Sequence, residues 1–528
     1  MRLLDVLSVL SKSSPYAVST EREDSISEQL DAVKKYLYIE TEIQRDFEKQ
    51  LTSLSPGDKK IIFLCGSSGD GKSEILTQFG EKFANKAKFH LDATHSFNPD
   101  STAITTLDEV FVEYENSNKA LVVGINVGMM GNYAEEGANT AVCNAIKKYL
   151  DSKYSSPGLV FLNFEDYPKF QLTKTGHSSD FVKAVLVRLT QQENNLIRQY
   201  FDIEKASHDG NKKLIANYQL LSLPEVQDRI IDVLFKARLI KDQFLTARTL
   251  LDFIHNLLSP DGYLFDNMFS QSDNEILSKI TEFNPADIRT ENIDKFILGT
   301  SLGLSDERFD EFATLMSAEY GIRRSKNPHA YLRLFYLLNN AEIGNNYHQD
   351  FKADFEEPLL DQYAKAWNLH SNFSGDKEDR RLLKSLYKDT IFASIHAYVN
   401  RNARSVAKGK YLISIHNDYQ IMSEIEMEPD FDAIQASAVK SSSFFTAFMS
   451  VEGKQVDIPV NINLLTMMKR IINGYRPNKH DKNTIVLLDE VADHIAQIAS
   501  KKNKLLIVKG NQNMSLKFDG DEIEVSGI

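Results

Sequence analysis

Only two cysteines, Cys65 and Cys143, occur in 528 residues. No disulfide framework can staple so long a chain with one possible pair, and the composition suits a reducing compartment. Long apolar runs are missing as well. No uninterrupted stretch approaches the roughly 20 residues needed to span a bilayer, which sets membrane-embedded functions aside. Near the amino terminus Leu3, Leu4, Val6, Leu7, Val9 and Leu10 are interrupted by Asp5 and Ser8, a spacing that predicts an amphipathic helix rather than a signal sequence. Positive charge is in deficit: 61 Lys and Arg face 74 Asp and Glu, for a formal net charge of -13. A surface that tracks nucleic-acid phosphates usually carries the opposite sign, so any DNA contact must be local or made through partners. The 12 histidines show no spacing that suggests a zinc site or a nucleophile triad. Repeats and low-complexity tracts are absent too. A soluble, cytoplasmic protein is expected.

What the chain does have is an ordinary globular balance, 42% hydrophobic and 26% charged residues, and a length that predicts two to four domains. Its most specific string is Gly66-Ser67-Ser68-Gly69-Asp70-Gly71-Lys72-Ser73, a G-x-x-x-x-G-K-S pattern. Before it stands Ile61-Ile62-Phe63-Leu64-Cys65, an apolar, β-branched run typical of a strand buried on both faces of a parallel sheet. After it Glu74-Ile75-Leu76-Thr77-Gln78-Phe79 takes helical spacing. Strand, glycine loop and helix together form the context in which backbone N–H groups close around phosphates. Lys72 supplies a point charge for the β- and γ-oxygens, and the Ser73 hydroxyl is placed to hold Mg²⁺. The expected ligand is a nucleoside triphosphate with Mg²⁺, taken as ATP, although the loop does not set the base. Cys65 reads as a small core residue of the strand.

Strand-like and helix-like pieces then alternate, the pattern of a doubly wound parallel sheet. Lys88–Asp92, Ala120–Asn126 and Gly158–Asn163 read as further strands, with Thr102–Tyr114 and Ala134–Leu150 as helices between them. Such sheets put their chemistry at the carboxyl ends of strands, where Asp92, Asn126 and Asn163 fall. The expected organisation is an amino-terminal helical segment (1–50), a P-loop nucleotide-binding core (51–180), a helical lid (181–258), a helical domain (259–407) and a carboxyl-terminal α+β domain (408–528). The last is read from the runs Tyr411–Ile415, Phe444–Val451, Val456–Val460, Leu505–Val508 and Met514–Val525. Phe373–Arg381 reads as a surface loop.

Hydrolysis needs a second acidic group on the Mg²⁺ side and a group that orients water. Asp92, at a strand end, either reaches the metal beside Ser73 or caps the next turn. Glu165 and Asp166, in Asn-Phe-Glu-Asp-Tyr-Pro, either polarise water or initiate the turn that Pro168 enforces. Asn126 either senses the γ-phosphate or ties down a loop. Gly128-Met129-Met130-Gly131-Asn132 after it reads as a flexible loop that moves with nucleotide state. Arg248 falls in the first turn of a lid helix, where it either touches the γ-phosphate or is a solvated arginine. Ile485–Glu490 ends an apolar run in Asp-Glu, but three-to-four spacing makes it an amphipathic helix. Pro429-Asp430 with Glu452-Gly453-Lys454 repeats a nuclease metal spacing. Gly453 between two strand runs favours a hairpin turn instead.

Ile61–Leu76, together with Leu91-Asp92-Ala93-Thr94-His95-Ser96-Phe97 and Val123-Gly124-Ile125-Asn126-Val127-Gly128-Met129, resembles the DptF (DndF) family over most of the chain. The family comprises ATPase-like subunits of restriction systems that respond to DNA phosphorothioation. The resemblance implies a bacterial defence component that acts with companion subunits, DptG and the helicase-like DptH, and meets DNA through the complex. It transfers Gly66, Gly71, Lys72 and Ser73 and leaves the acidic partner open. Two other readings keep the loop: a nucleotide-stabilised scaffold without turnover, and a small-molecule phosphotransferase.

Overall fold

The computed structural model describes residues 1–12, 25–93, 102–173, 176–241, 245–271, 274–356, 358–403, 406–407, 409–437, 443–510, 512–520 and 522–527. Thr94, His95, Ser96 and Phe97, part of one string quoted above, lie outside them. The chain divides into two compact units. One comprises Met1–Phe170, Ser179–Arg238 and Gln243–Glu356; the other comprises Gln171–Ser178, Leu239–Asp242 and Glu357–Ile528.

Four parallel strands form the centre of the first unit: β1 (Ile61–Cys65), β2 (Ala87–His90), β3 (Ala120–Ile125) and β4 (Leu159–Asn163), in the order β2-β3-β1-β4. The central pair, β1 and β3, is wholly buried. A strand alternates its side chains between two faces, so an unbroken apolar run can serve two layers at once. Ile61, Phe63 and Cys65 pack with Leu107, Phe111, Tyr133, Ile146 and Tyr149 on one side. Ile62 and Leu64 pack with Phe47, Leu51, Leu76 and Phe79 on the other. Phe63 stacks on Phe161 at 4.9 Å, and Tyr149 stacks on Phe161 at 4.3 Å. The result is a helix–sheet–helix sandwich, with helices Ala103–Glu115 and Thr140–Ser152 contributing to one layer and Glu42–Thr52 and Lys72–Lys82 to the other.

Two local expectations are corrected. Gly128–Asn132 is not a loop: Val127–Glu136 is a helix, because the Asn126 side chain caps it by accepting the Met129 N–H at 2.6 Å and Met130 and Tyr133 anchor its buried face. Nor is Ala134–Leu150 one helix. The first helix stops at Gly137, and the next, Thr140–Ser152, starts afresh from Asn139, which accepts the Val142 N–H. Caps at both points outweigh the continuous apolar periodicity. Beyond the sheet the first unit is helical, including Asp180–Thr190, Leu196–Ala206, Lys212–Leu221 and Ala247–Leu258.

The second unit contains antiparallel sheets. β5 (Gln171–Thr173) pairs with β6 (Gly176–Ser178). β7 (Lys410–His416) and β8 (Tyr419–Glu424) precede a short β9 (Met427–Pro429), followed by β10 (Phe445–Val451), β11 (Lys454–Val460), β12 (Lys504–Lys509), β13 (Gln512–Asp519) and β14 (Glu522–Ser526). These make a three-stranded sheet, β11-β10-β9, and a five-stranded one, β14-β13-β12-β8-β7. Met514–Val525 is thus a hairpin rather than one strand, turning at Gly520 with φ 65°. Phe373–Arg381 is only partly a loop, since Asp376 caps a helix over Lys377–Leu386. Ile485–Glu490 lies in the helix Lys482–Ala499, whose buried stripe is Leu488, Val491, Ile495 and Ala499. Glu452 and Gly453, at φ 51° and 75°, form the two-residue turn joining β10 to β11. No helix among the described residues is long and apolar enough to cross a membrane.

A buried histidine gives this unit a pH signature. His370 hydrogen-bonds the Ala366 carbonyl at 2.7 Å and the Tyr387 hydroxyl at 3.2 Å, and stacks on Phe445 at 4.2 Å. Burial pushes its pKa down to about 4 from the ordinary 6.5. Between those values the unfolded chain takes up a proton that the folded unit excludes, so stability is full above pH 6.5 and falls as pH drops toward 4. A loss of about 2 kcal/mol is expected between pH 6.5 and 5. Urea unfolding followed by hydrogen exchange in β10 measures it, and His370→Gln should flatten the dependence.

Candidate functional site

At the carboxyl end of β1 the chain turns through Gly66–Gly71 into the helix Lys72–Lys82. Gly66 donates its N–H to the Ile125 carbonyl at 3.2 Å, which fixes the start of the loop to the end of β3. A Cβ there would stand 2.8 Å from the Phe164 ring and 3.1 Å from Asp70 Oδ2. Gly69 and Gly71 hold φ angles of 85° and 102°, left-handed values that other residues adopt only under strain. The glycines at 66, 69 and 71 are therefore required by geometry. Gly71 brings no side chain to the first turn of the helix, and none caps it, so the turn presents main-chain N–H groups.

Charge inside the loop is organised around two lysines and an aspartate. Lys72 donates to the carbonyls of Gly66 at 2.9 Å and Ser67 at 2.8 Å. Burial lowers its pKa, opposed by the negative charges of Asp70 and Asp92. Asp70 accepts the Ser67 N–H at 2.8 Å through one carboxylate oxygen and the Lys169 ammonium at 2.7 Å through the other. Its carboxylate is wholly shielded from solvent, while Ser68 and Ser73 are exposed.

The other candidates divide into those near this loop and those engaged elsewhere. Asp92 lies exposed two residues past β2, where Ala93 donates to the Gly124 carbonyl at 2.9 Å; its charge acts on both Lys72 and His90. Asn126 spends its side-chain oxygen on the helix cap already described. Glu165 and Asp166 form the turn after β4: Asn163 accepts the Glu165 N–H at 3.2 Å, and Asp166 accepts from the Tyr149 hydroxyl at 3.3 Å. Arg248 stands in the first turn of Ala247–Leu258, capped by Thr246. Its N–H donates to the Gly69 carbonyl at 3.1 Å, and a Cβ on Gly69 would come within 3.1 Å of its own Cβ. That helix thus abuts the glycine loop directly.

Compared with known proteins, the chain matches no family model and no curated protein. The site is therefore argued from its own residues.

Cys65 is inert core: burial pushes its thiol up to about 12 and its sulfur lies 3.8 Å from that of Met130. Asp430 caps the helix Phe431–Ala436, and Glu452 pairs with Lys502 at 2.6 Å. The nuclease spacing is thus divided between a cap and a turn. Lys169 is the residue that sequence reading missed. It follows a turn three residues past Asp166, in no recognisable pattern, and only folding brings it to Asp70.

Proposed function

We propose that this chain binds ATP with Mg²⁺ through Gly66–Ser73 and hydrolyses it as a switch subunit of a phosphorothioation-dependent DNA restriction assembly. One observation carries the nucleotide reading: a glycine loop, bent by left-handed residues, joins a buried parallel strand to an uncapped helix start and holds a half-buried lysine beside exposed Ser73. Such a cradle suits a polyphosphate, which main-chain N–H groups and one ammonium can grip without a shape-specific pocket. Ser73 would hold Mg²⁺, and Asp92 is the carboxylate best placed to stand second to it. When bound, ATP would supply a phosphoryl group for transfer to water. The P-loop NTPase identity of the core belongs to this reading. So do DptG, DptH and the DNA reached through them, which rest on the resemblance of Ile61–Leu76 and the β2 and β3 strand ends to DptF.

Arg248 supports the switch part of the proposal. A helix whose first turn is hydrogen-bonded to Gly69 cannot stay indifferent to a change of loop conformation. Asp92→Asn separates a turnover enzyme from a nucleotide-stabilised scaffold. We expect it to retain ATP binding within a few-fold while phosphate release drops by about 100-fold or more, measured as single-turnover hydrolysis with the companion subunits present. Unchanged release would remove Asp92 from the metal site.

A further inference from the structure

Asp70 is an odd residue to find in a cradle for phosphate. Its carboxylate is wholly buried, points into the loop and places a negative charge where more negative charge is to arrive. Lys169 offsets it. The ammonium sits 2.7 Å from Asp70 and 5.6 Å from the centre of the Phe164 ring, with only 13% of the side chain exposed. Phe164 is also the ring that forbids a Cβ at Gly66. One lysine therefore touches both the acid inside the loop and the aromatic that shapes the loop's entry.

Position along the chain gives the pair a second property. Phe170 follows Lys169, and Gln171–Ser178, which belongs to the second unit, contains the paired strands β5 and β6. The first unit resumes at Ser179, whose hydroxyl donates to the Lys169 carbonyl at 2.5 Å. Ser179 is itself fixed, with 2% exposure, as the cap of Asp180–Thr190. The two ends of that segment are thus clipped together at the residue whose side chain neutralises the phosphate loop.

We infer that Lys169 is a positioning residue of the nucleotide site, which shares its charge between Asp70 and an incoming polyphosphate. The inference rests on the nucleotide reading above. Its energetic logic is electrostatic. With Lys169 in place, Asp70 costs the ligand little; without Lys169, a buried carboxylate faces the phosphates with only the Ser67 N–H and the field of Lys72 to offset it. Without Asp70, Lys169 is free to act on the phosphates alone.

Substitution of the pair gives opposite signs. Asp70→Asn keeps an oxygen to accept the Ser67 N–H, and should tighten ATP binding on the order of tenfold. Lys169→Met keeps most of the side-chain volume, and should weaken it on the order of a hundredfold. The double variant, whose summed charge equals that of the unaltered pair, should return close to the unaltered affinity. Titration of the full chain with ATP·Mg²⁺ by calorimetry reads all three. If Asp70→Asn weakened binding as Lys169→Met does, the pair would be a structural clip and the inference would fall. Failure of the unaltered chain to bind ATP, by contrast, would remove the nucleotide reading and this inference with it; normal binding with indifferent variants removes only the role of Lys169.

Discussion

Lys72→Ala should lower ATP affinity by about 10- to 100-fold, the worth of a charge-assisted hydrogen bond lost from a shielded site, and, on the function proposed above, should abolish turnover and with it restriction. The expectation follows from where the ammonium sits. Lys72 is half-buried, its charged form is disfavoured by that burial, and the groups that sustain it are two main-chain carbonyls and the fields of Asp70 and Asp92. An ammonium held by neutral acceptors is well placed to turn toward phosphate oxygens, which are stronger partners. Removing it leaves the glycine geometry intact, because φ at Gly69 and Gly71 does not depend on the side chain. Circular dichroism and the thermal midpoint should therefore barely change while the binding isotherm collapses. Equal ATP affinity in the two proteins would overturn the nucleotide reading.

The parallel-sheet core was legible because its signals are local and agree with one another. Ile61–Cys65 could be read as a two-sided buried strand from five apolar residues in a row, and β1 has those bounds. β3 and β4 start and stop within a residue of expectation for the same reason. Misreadings arose where a single polar side chain decides the outcome. Asn126 and Asn139 each begin a helix by accepting one N–H, and a glycine-rich string after Asn126 looks like a loop until that cap is counted. In the carboxyl-terminal region, strands shorter than four residues such as β9 carry too little periodicity to register.

The site was legible in part. The glycine loop announces itself by spacing, and the first-turn placement of Arg248 by helix periodicity. Asp70 and Lys169 do not, because nothing in their 99-residue separation links them until β4 is laid beside β1. Long-range ion pairs leave no periodic trace in a single sequence. Asp92 and Asp166 illustrate the same limit from the other side: both follow strands, yet only the fold shows that Asp92 acts on Lys72 while Asp166 hydrogen-bonds Tyr149.

Gly124→Val tests whether the sheet itself sets the position of Asp92, and it should be strongly destabilising. A Cβ at this central β3 position would lie 2.5 Å from Leu76 Cδ1 and 2.6 Å from the Leu91 carbonyl oxygen. Leu76 can rotate. Leu91 cannot yield as easily, since the clash is with main chain and the next residues, Asp92 and Ala93, are tied to the sheet by the Ala93 N–H on the Gly124 carbonyl. The β2–β3 ladder must open or the segment after His90 must move outward. Overpacking of this kind costs about 1–3 kcal/mol where side chains alone adjust, and more is expected where backbone must shift, so about 3 kcal/mol or above is the expected loss in urea unfolding of the first unit. Gly124→Ala adds only the Cβ and should fall between. The functional consequence is separable from the stability loss: in Gly124→Ala, below its unfolding midpoint, displacement of Leu91 should carry Asp92 away from Lys72 and reduce phosphate release more than ATP binding. A variant that lost stability but kept the ratio of turnover to binding would show that Asp92 is positioned by something other than this contact.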